Sequence, residues 1–132
     1  MSPTVNRIDH VHVYVADWAE SESWYQRVLG FSRDEGLAVW AVDGGPLTLK
    51  NDDGTVHLAL FESADPRPAS TVAFGATGDE FLAWLEHLKA QAVDVRLADH
   101  SLAWSMYFVD PDGNCHEITT YDHAVVARSN PS

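Results

Sequence analysis

The stretch "RIDHVHVYVAD" (7–17) decides how this chain is to be read. Apolar and polar residues alternate strictly through "HVHVYVA" (10–16), which is the period of a half-buried strand. Val11, Val13 and Val15 then share one face, and His10, His12 and Tyr14 share the other. Two histidines and a tyrosine are unusual for a face that simply packs a core. The pattern therefore raises the question of whether that face is kept open for chemistry.

Working outward, Asp17 is placed to cap a helix, with Glu20 three residues on as in a capping box. The helix runs through "ESESWYQRVLG" (20–30), with Trp24, Tyr25, Val28 and Leu29 as its apolar stripe and Gly30 as its stop. Three strand-like segments follow, "LAVWAVDG" (37–44), "PLTLKN" (46–51) and "TVHLALFE" (55–62), separated by the turn signals "DGGP" and "NDDG". After the proline-containing linker "SADPRPAS" (63–70), the order recurs. "TVAFGA" reads as a strand, and "TGDE" is a second capping box from Thr77 to Glu80. "EFLAWLEHLKAQ" (80–91) reads as a helix. "VDVRLAD", "WSMYFVD" and "HEITTY" read as strands, with "DPDGN" (110–114) as the turn before the last.

The chain therefore reads as α+β, two tandem βαβββ modules in one domain. Module one spans about 7–62 and module two about 70–121, and residues 122–132 form a polar tail expected to be loosely held. The expected architecture is a curved mixed sheet around a pocket, with helices on the outer face.

The totals agree with one domain of an ordinary globular protein, 132 residues that are 45% hydrophobic and 21% charged. Eight Lys and Arg against 20 Asp and Glu give a net charge of −12, which argues against nucleic acid and against anionic membrane surfaces. No apolar run approaches a membrane span, and "MSPTVNRID" lacks a signal segment, so the expected location is cytoplasmic. The single Cys115 has no internal disulfide partner.

The order βαβββ twice, with "HVHVYVAD" and "SWYQRVLGF" near the start and "DPDGNCHE" near the end, resembles the vicinal oxygen chelate superfamily. That group holds glyoxalase I, extradiol dioxygenases, methylmalonyl-CoA epimerase, fosfomycin resistance thiol transferases and bleomycin-binding proteins. The resemblance covers roughly Arg7 to Tyr121. It implies one divalent metal per site, Fe, Mn, Zn or Ni, on the concave face. By position the implied ligands are His10, His57 and Glu117. A fourth ligand position falls on Thr71, or on Ser70 if the helix caps are aligned. Neither is a good divalent ligand, so the chain departs there from the four-ligand pattern. Two histidines and a carboxylate with open positions suit such an ion.

His12 and Glu117 are the candidate proton-moving groups. Tyr14, Phe61, Ser105 and Tyr107 are candidates for substrate contact, and Tyr107 matches a substrate-contacting tyrosine of the fosfomycin enzymes. His87, His100, His116 and His123 read as surface or packing residues. No Lys or Arg falls on the strands assigned to the pocket face, and the facing of Arg96 stays open. Anionic substrates such as a phosphonate, a CoA ester or glutathione lose weight accordingly.

The resemblance implies one of two functions. The first is a metal-dependent lyase, isomerase or dioxygenase acting on a small, largely apolar substrate by bidentate oxygen chelation and enolate or oxyanion stabilisation. The alternative is a metal-free drug- or antibiotic-binding protein of the bleomycin-resistance type. Chains of this family with only two modules usually pair, so a homodimer is expected, swapped or unswapped.

Overall fold

The structure, a computed structural model, describes residues 3, 5, 7–68 and 70–131. The chain divides into two compact units, Met1–Pro66 and Arg67–Ser132. Each carries one four-stranded sheet. Among the described residues no helix is long and apolar enough to cross a membrane.

In the first unit the order is β1 (Val11–Val15), α1 (Trp18–Leu29), β2 (Ser32–Arg33), a 3-10 helix (Glu35–Trp40), β3 (Pro46–Lys50) and β4 (His57–Glu62). The sheet order is β1-β4-β3-β2, with β1 parallel to β4 and the other pairs antiparallel. A parallel pair cannot be joined by a tight turn, so the chain needs a crossover, and α1 begins it. The Asp17 carboxylate accepts from the Glu20 backbone N–H at 3.1 Å and starts α1. Gly30 ends it in the left-handed region, at φ 72°. Trp24, Tyr25, Val28 and Leu29 are buried, as are Val13, Val15, Leu58 and Leu60 of the strands.

The segment 37–44 is not the strand its alternation predicts. Asp34 caps a 3-10 helix instead, accepting from the Gly36 N–H at 3.1 Å. In a 3-10 helix residues i and i+3 share a side. Leu37 and Trp40 therefore come to line one cavity, and Val39 is left 72% exposed.

In the second unit the order is β5 (Val72–Gly75), α2 (Gly78–Ala90), β6 (Arg96–Asp99), β7 (Trp104–Val109), β8 (Cys115–Thr120) and α3 (His123–Ser129). The sheet order is β5-β8-β7-β6, with β5 parallel to β8, the same plan as the first. The Thr77–Glu80 capping box forms in full at the start of α2. "DPDGN" is a closed turn. The buried Asp110 carboxylate accepts from the backbone N–H groups of Asp112 and Asn114 and from the Asn114 side chain, at 2.8–2.9 Å. This turn sets where β8 starts.

The tail is not loose throughout. Residues 123–129 form α3, which packs on α2 and buries Val126 completely. Asp122 explains the docking: its carboxylate accepts from the Gly78 N–H at 2.7 Å, in the first turn of α2. A Cβ at Gly78 would lie 2.7 Å from the Val125 side chain and 2.9 Å from Asp122 Cβ. Gly78→Ala is therefore expected to cost about 1–3 kcal/mol, read as a fall in the thermal midpoint. An unchanged midpoint would mean that α3 does not press on α2.

His116 is the one imidazole driven to the buried face of β8. It is fully enclosed, with the Phe74 and Phe108 rings 5.9 and 5.7 Å away, and burial pushes its pKa down to about 4 against a weaker upward pull from Asp110. An unfolded chain protonates this ring near its ordinary value of 6.5, whereas the folded chain resists until about 4. Stability from this group is complete above the higher value and declines as pH falls between the two, by roughly 3 kcal/mol. Urea unfolding from pH 4 to 8 should show this slope, and His116→Phe should flatten it. An equal slope in the variant would assign the pH dependence elsewhere.

Candidate functional site

The parallel register of β1 on β4 builds the open face of the first sheet. His12 stands opposite Ala59 and Tyr14 opposite Phe61, with Thr48 and Pro46 next across on β3. His10 lies immediately before β1, and His57 opens β4. His10, His12, Phe61 and Tyr14 form an unbroken aromatic row. The His10 and His12 rings stack at 5.1 Å, and Phe61 lies 4.6 Å from His12 and 5.9 Å from Tyr14.

At the His10 end of this row is a cavity of about 290 Å³, lined by Asp9, His10, Leu37, Trp40, Thr48 and His57 among others. Each of its two imidazoles has a carboxylate on one ring nitrogen. Asp9 Oδ2 lies 2.9 Å from His10 Nδ1, and Asp34 Oδ2 lies 3.2 Å from His57 Nε2. The hydrogen bond to His10 holds the Asp9 carboxyl below its ordinary value. An ionised carboxylate only accepts, so the His10 Nδ1 carries the proton toward it, and a neutral His10 presents a bare Nε2. That Nε2 lies 3.1 Å from His12 Nε2. A carboxylate behind an imidazole is the arrangement that orients a metal-ligating histidine. In donor chemistry His10 and His57 thus fit a borderline divalent ion. Within either unit, no three described His, Cys, Asp or Glu side chains gather to hold one by themselves.

Ser105, Tyr107 and Glu117 belong to the second unit. Glu117 pairs with Tyr107 in register, and its carboxylate accepts from the Ser105 hydroxyl at 2.7 Å. Ser105 is fully buried and also lies 3.1 Å from Thr119 Oγ1, so the carboxylate is held in a fixed direction. The Tyr107 hydroxyl is 3.0 Å from His100 Nε2.

His100, which the sequence read as a surface or packing residue, and Asp9 and Asp34, which it did not single out, are hydrogen-bond neighbours of these side chains. His100 is seven residues from Tyr107 and reaches it because residues 100–103 form a tight hairpin turn, closed by the His100 N–H on the Ala103 carbonyl at 2.8 Å. The signal was the shortness of the gap between two predicted strands, which folds the first residue of the turn back over the second strand. Thr71 and Ser70, the two positions at which the resemblance implies a fourth ligand, are both exposed. Trp40 stands at the cavity and is 54% exposed.

No curated protein matches the chain significantly. Solved structures do share its fold. An integron cassette protein from the mobile metagenome of the Halifax Harbour sewage outfall is 21% identical, with a TM-score of 0.76 over 88% of this chain and 99% of that one. A protein assigned to the glyoxalase family from Bacillus anthracis is 22% identical, with a TM-score of 0.71 over 91% and 98%. The fosfomycin resistance protein FosX from Listeria monocytogenes, solved with Mn(II) and sulfate, is 15% identical, with a TM-score of 0.66 over 97% and 100%. At these identities the likeness is one of fold alone. The family model described as Glyoxalase/Bleomycin resistance protein/Dioxygenase superfamily matches residues 7–118, nearly the whole of both modules, and the chain belongs to that superfamily.

Proposed function

We propose that this chain is a metal-dependent enzyme of the glyoxalase and dioxygenase type, a lyase, isomerase or dioxygenase acting on a small organic substrate with an apolar body. The observation that carries this reading is the pair His10 and His57, which open on one cavity with a carboxylate at one ring nitrogen of each. That is a costly way to line a pocket meant only for apolar contact, because each polar group needs a partner.

His10 and His57 are the donors of the first unit in this proposal, and Glu117 is the donor of the second. A divalent ion held by such donors would supply Lewis-acid polarisation of substrate oxygen. The chain's own groups do the rest. Asp9 keeps the proton of His10 on Nδ1, so that a neutral ring presents a bare Nε2. His12, within hydrogen-bond reach of that Nε2, holds or moves a proton. Ser105 keeps the Glu117 carboxylate aimed by donating to it. Tyr14 and Phe61 provide an aromatic wall, and Leu37, Trp40 and Pro46 provide apolar surface that favours an organic substrate over water. We further propose a cytoplasmic homodimer with two equivalent sites.

A second reading has its own support. The exposed Trp40 at the cavity, with a net charge of −12, suits a metal-free protein that traps a hydrophobic cation.

Metal analysis of untagged protein after equilibration with Fe(II), Mn(II), Zn(II) or Ni(II) separates the two. The expected result is about one tight equivalent per chain for one of these ions. Binding should be lost in His10→Ala and His57→Ala, and weakened roughly 10–100-fold in Asp9→Asn, which removes only the group behind His10. No stoichiometric uptake of any of the four overturns the enzyme reading and turns attention to aromatic cations.

A further inference from the structure

The facing of Arg96, open in the sequence, is settled by the register of the second sheet. Arg96 pairs with Tyr107, and Tyr107 pairs with Glu117, so the three form one row across β6, β7 and β8. The Arg96 guanidinium carbon lies 4.4 Å above the centre of the Tyr107 ring. We propose that Arg96, stacked on Tyr107, is the binding site for a small organic oxyanion, a carboxylate or phosphonate carrying an apolar body.

Three observations on the second unit support this. First, the cation is unspent. The chain has only eight Lys and Arg against 20 Asp and Glu, and Arg33 is neutralised by Glu22 at 2.9 Å. Arg96 forms no ion pair with a described residue. The Glu117 carboxylate, one strand beyond the ring, accepts from Ser105 instead. Asp94 stands at the rim of the same cleft without reaching ion-pair distance.

Second, the cation is preset. The ring lies under the guanidinium, and the ring's hydroxyl is tied to His100 Nε2 at 3.0 Å. A stacked guanidinium keeps its N–H edge free, and that planar fork matches the two oxygens of a carboxylate or phosphonate. Less side-chain entropy is then lost on binding.

Third, the surroundings are apolar. Val95, Phe108, Val109 and Cys115 line the cleft of about 380 Å³ beside Arg96, and Val109 is 54% exposed. An inorganic anion would leave that surface uncovered, whereas an organic acid covers it while meeting the fork.

This inference goes beyond the metal reading and stands without it. The test uses the full ¹⁵N-labelled chain in low-salt buffer, titrated with benzoate, phenylphosphonate, inorganic phosphate and benzyl alcohol. Benzoate or phenylphosphonate should give saturable amide shifts confined to residues 94–96, 107–109 and 115. Which of the two binds more tightly names the head group. Phosphate and benzyl alcohol should each bind at least several-fold more weakly, since each lacks one half of the match. Arg96→Gln should weaken binding about tenfold or more, the loss of one charge-assisted contact. Arg96→Lys, which keeps the charge but loses the fork, should fall between, and it decides the matter if the first variant is poorly folded. Scattered shifts, equal binding of benzyl alcohol, or unchanged affinity in these variants would overturn the proposal and reduce the stack to a stabiliser of the β6–β7 pair.

Discussion

Everything in this protein that bears on function depends on the parallel pairing of the first strand of each module with its last, β1 with β4 and β5 with β8. A parallel pair demands a crossover, and the helix in that crossover covers one face of the sheet. The opposite face is then free for polar and aromatic side chains. A slip of one residue would bury His12 and expose Val13, so the burial of the valines holds the histidines outward.

On the open face of each sheet, polar groups are held in pairs and chains rather than left to solvent. Asp9 holds His10, which meets His12, while Asp34 holds His57. Ser105 holds Glu117, and His100 holds Tyr107 under Arg96. Such links fix direction as well as energy, which is what a site needs before a ligand arrives. The contrast within β8 shows that parity is the cause. Glu117 stands on the open face, and its chain neighbour His116 is sealed among phenylalanines with its proton affinity suppressed.

Membership of the superfamily brings the fold and leaves the chemistry to the residues actually present. The resemblance expects a further ligand at Thr71 or Ser70, and neither side chain is an imidazole. The chain's own set includes an unneutralised arginine in a strongly acidic protein.

The two βαβββ modules, both helices with their caps, the "DPDGN" turn and the outward facing of His10, His12, Tyr14 and Glu117 were legible in the sequence. Each follows from local rules: period-two alternation, a capping side chain, a glycine at positive φ. Three things were not legible. Alternation in 37–44 read as strand, but Asp34 capped a 3-10 helix there, and what Leu37 and Trp40 do was decided by the cavity they line. The tail read as loose because its polarity hid Val126 and because Asp122 caps a helix 44 residues away. The roles of Asp34, His100 and Arg96 came only with strand register and turn closure, which bring residues distant along the chain within a few ångströms of each other. Periodicity reports which face a side chain takes. Which neighbour it meets on that face is set by the pairing of strands.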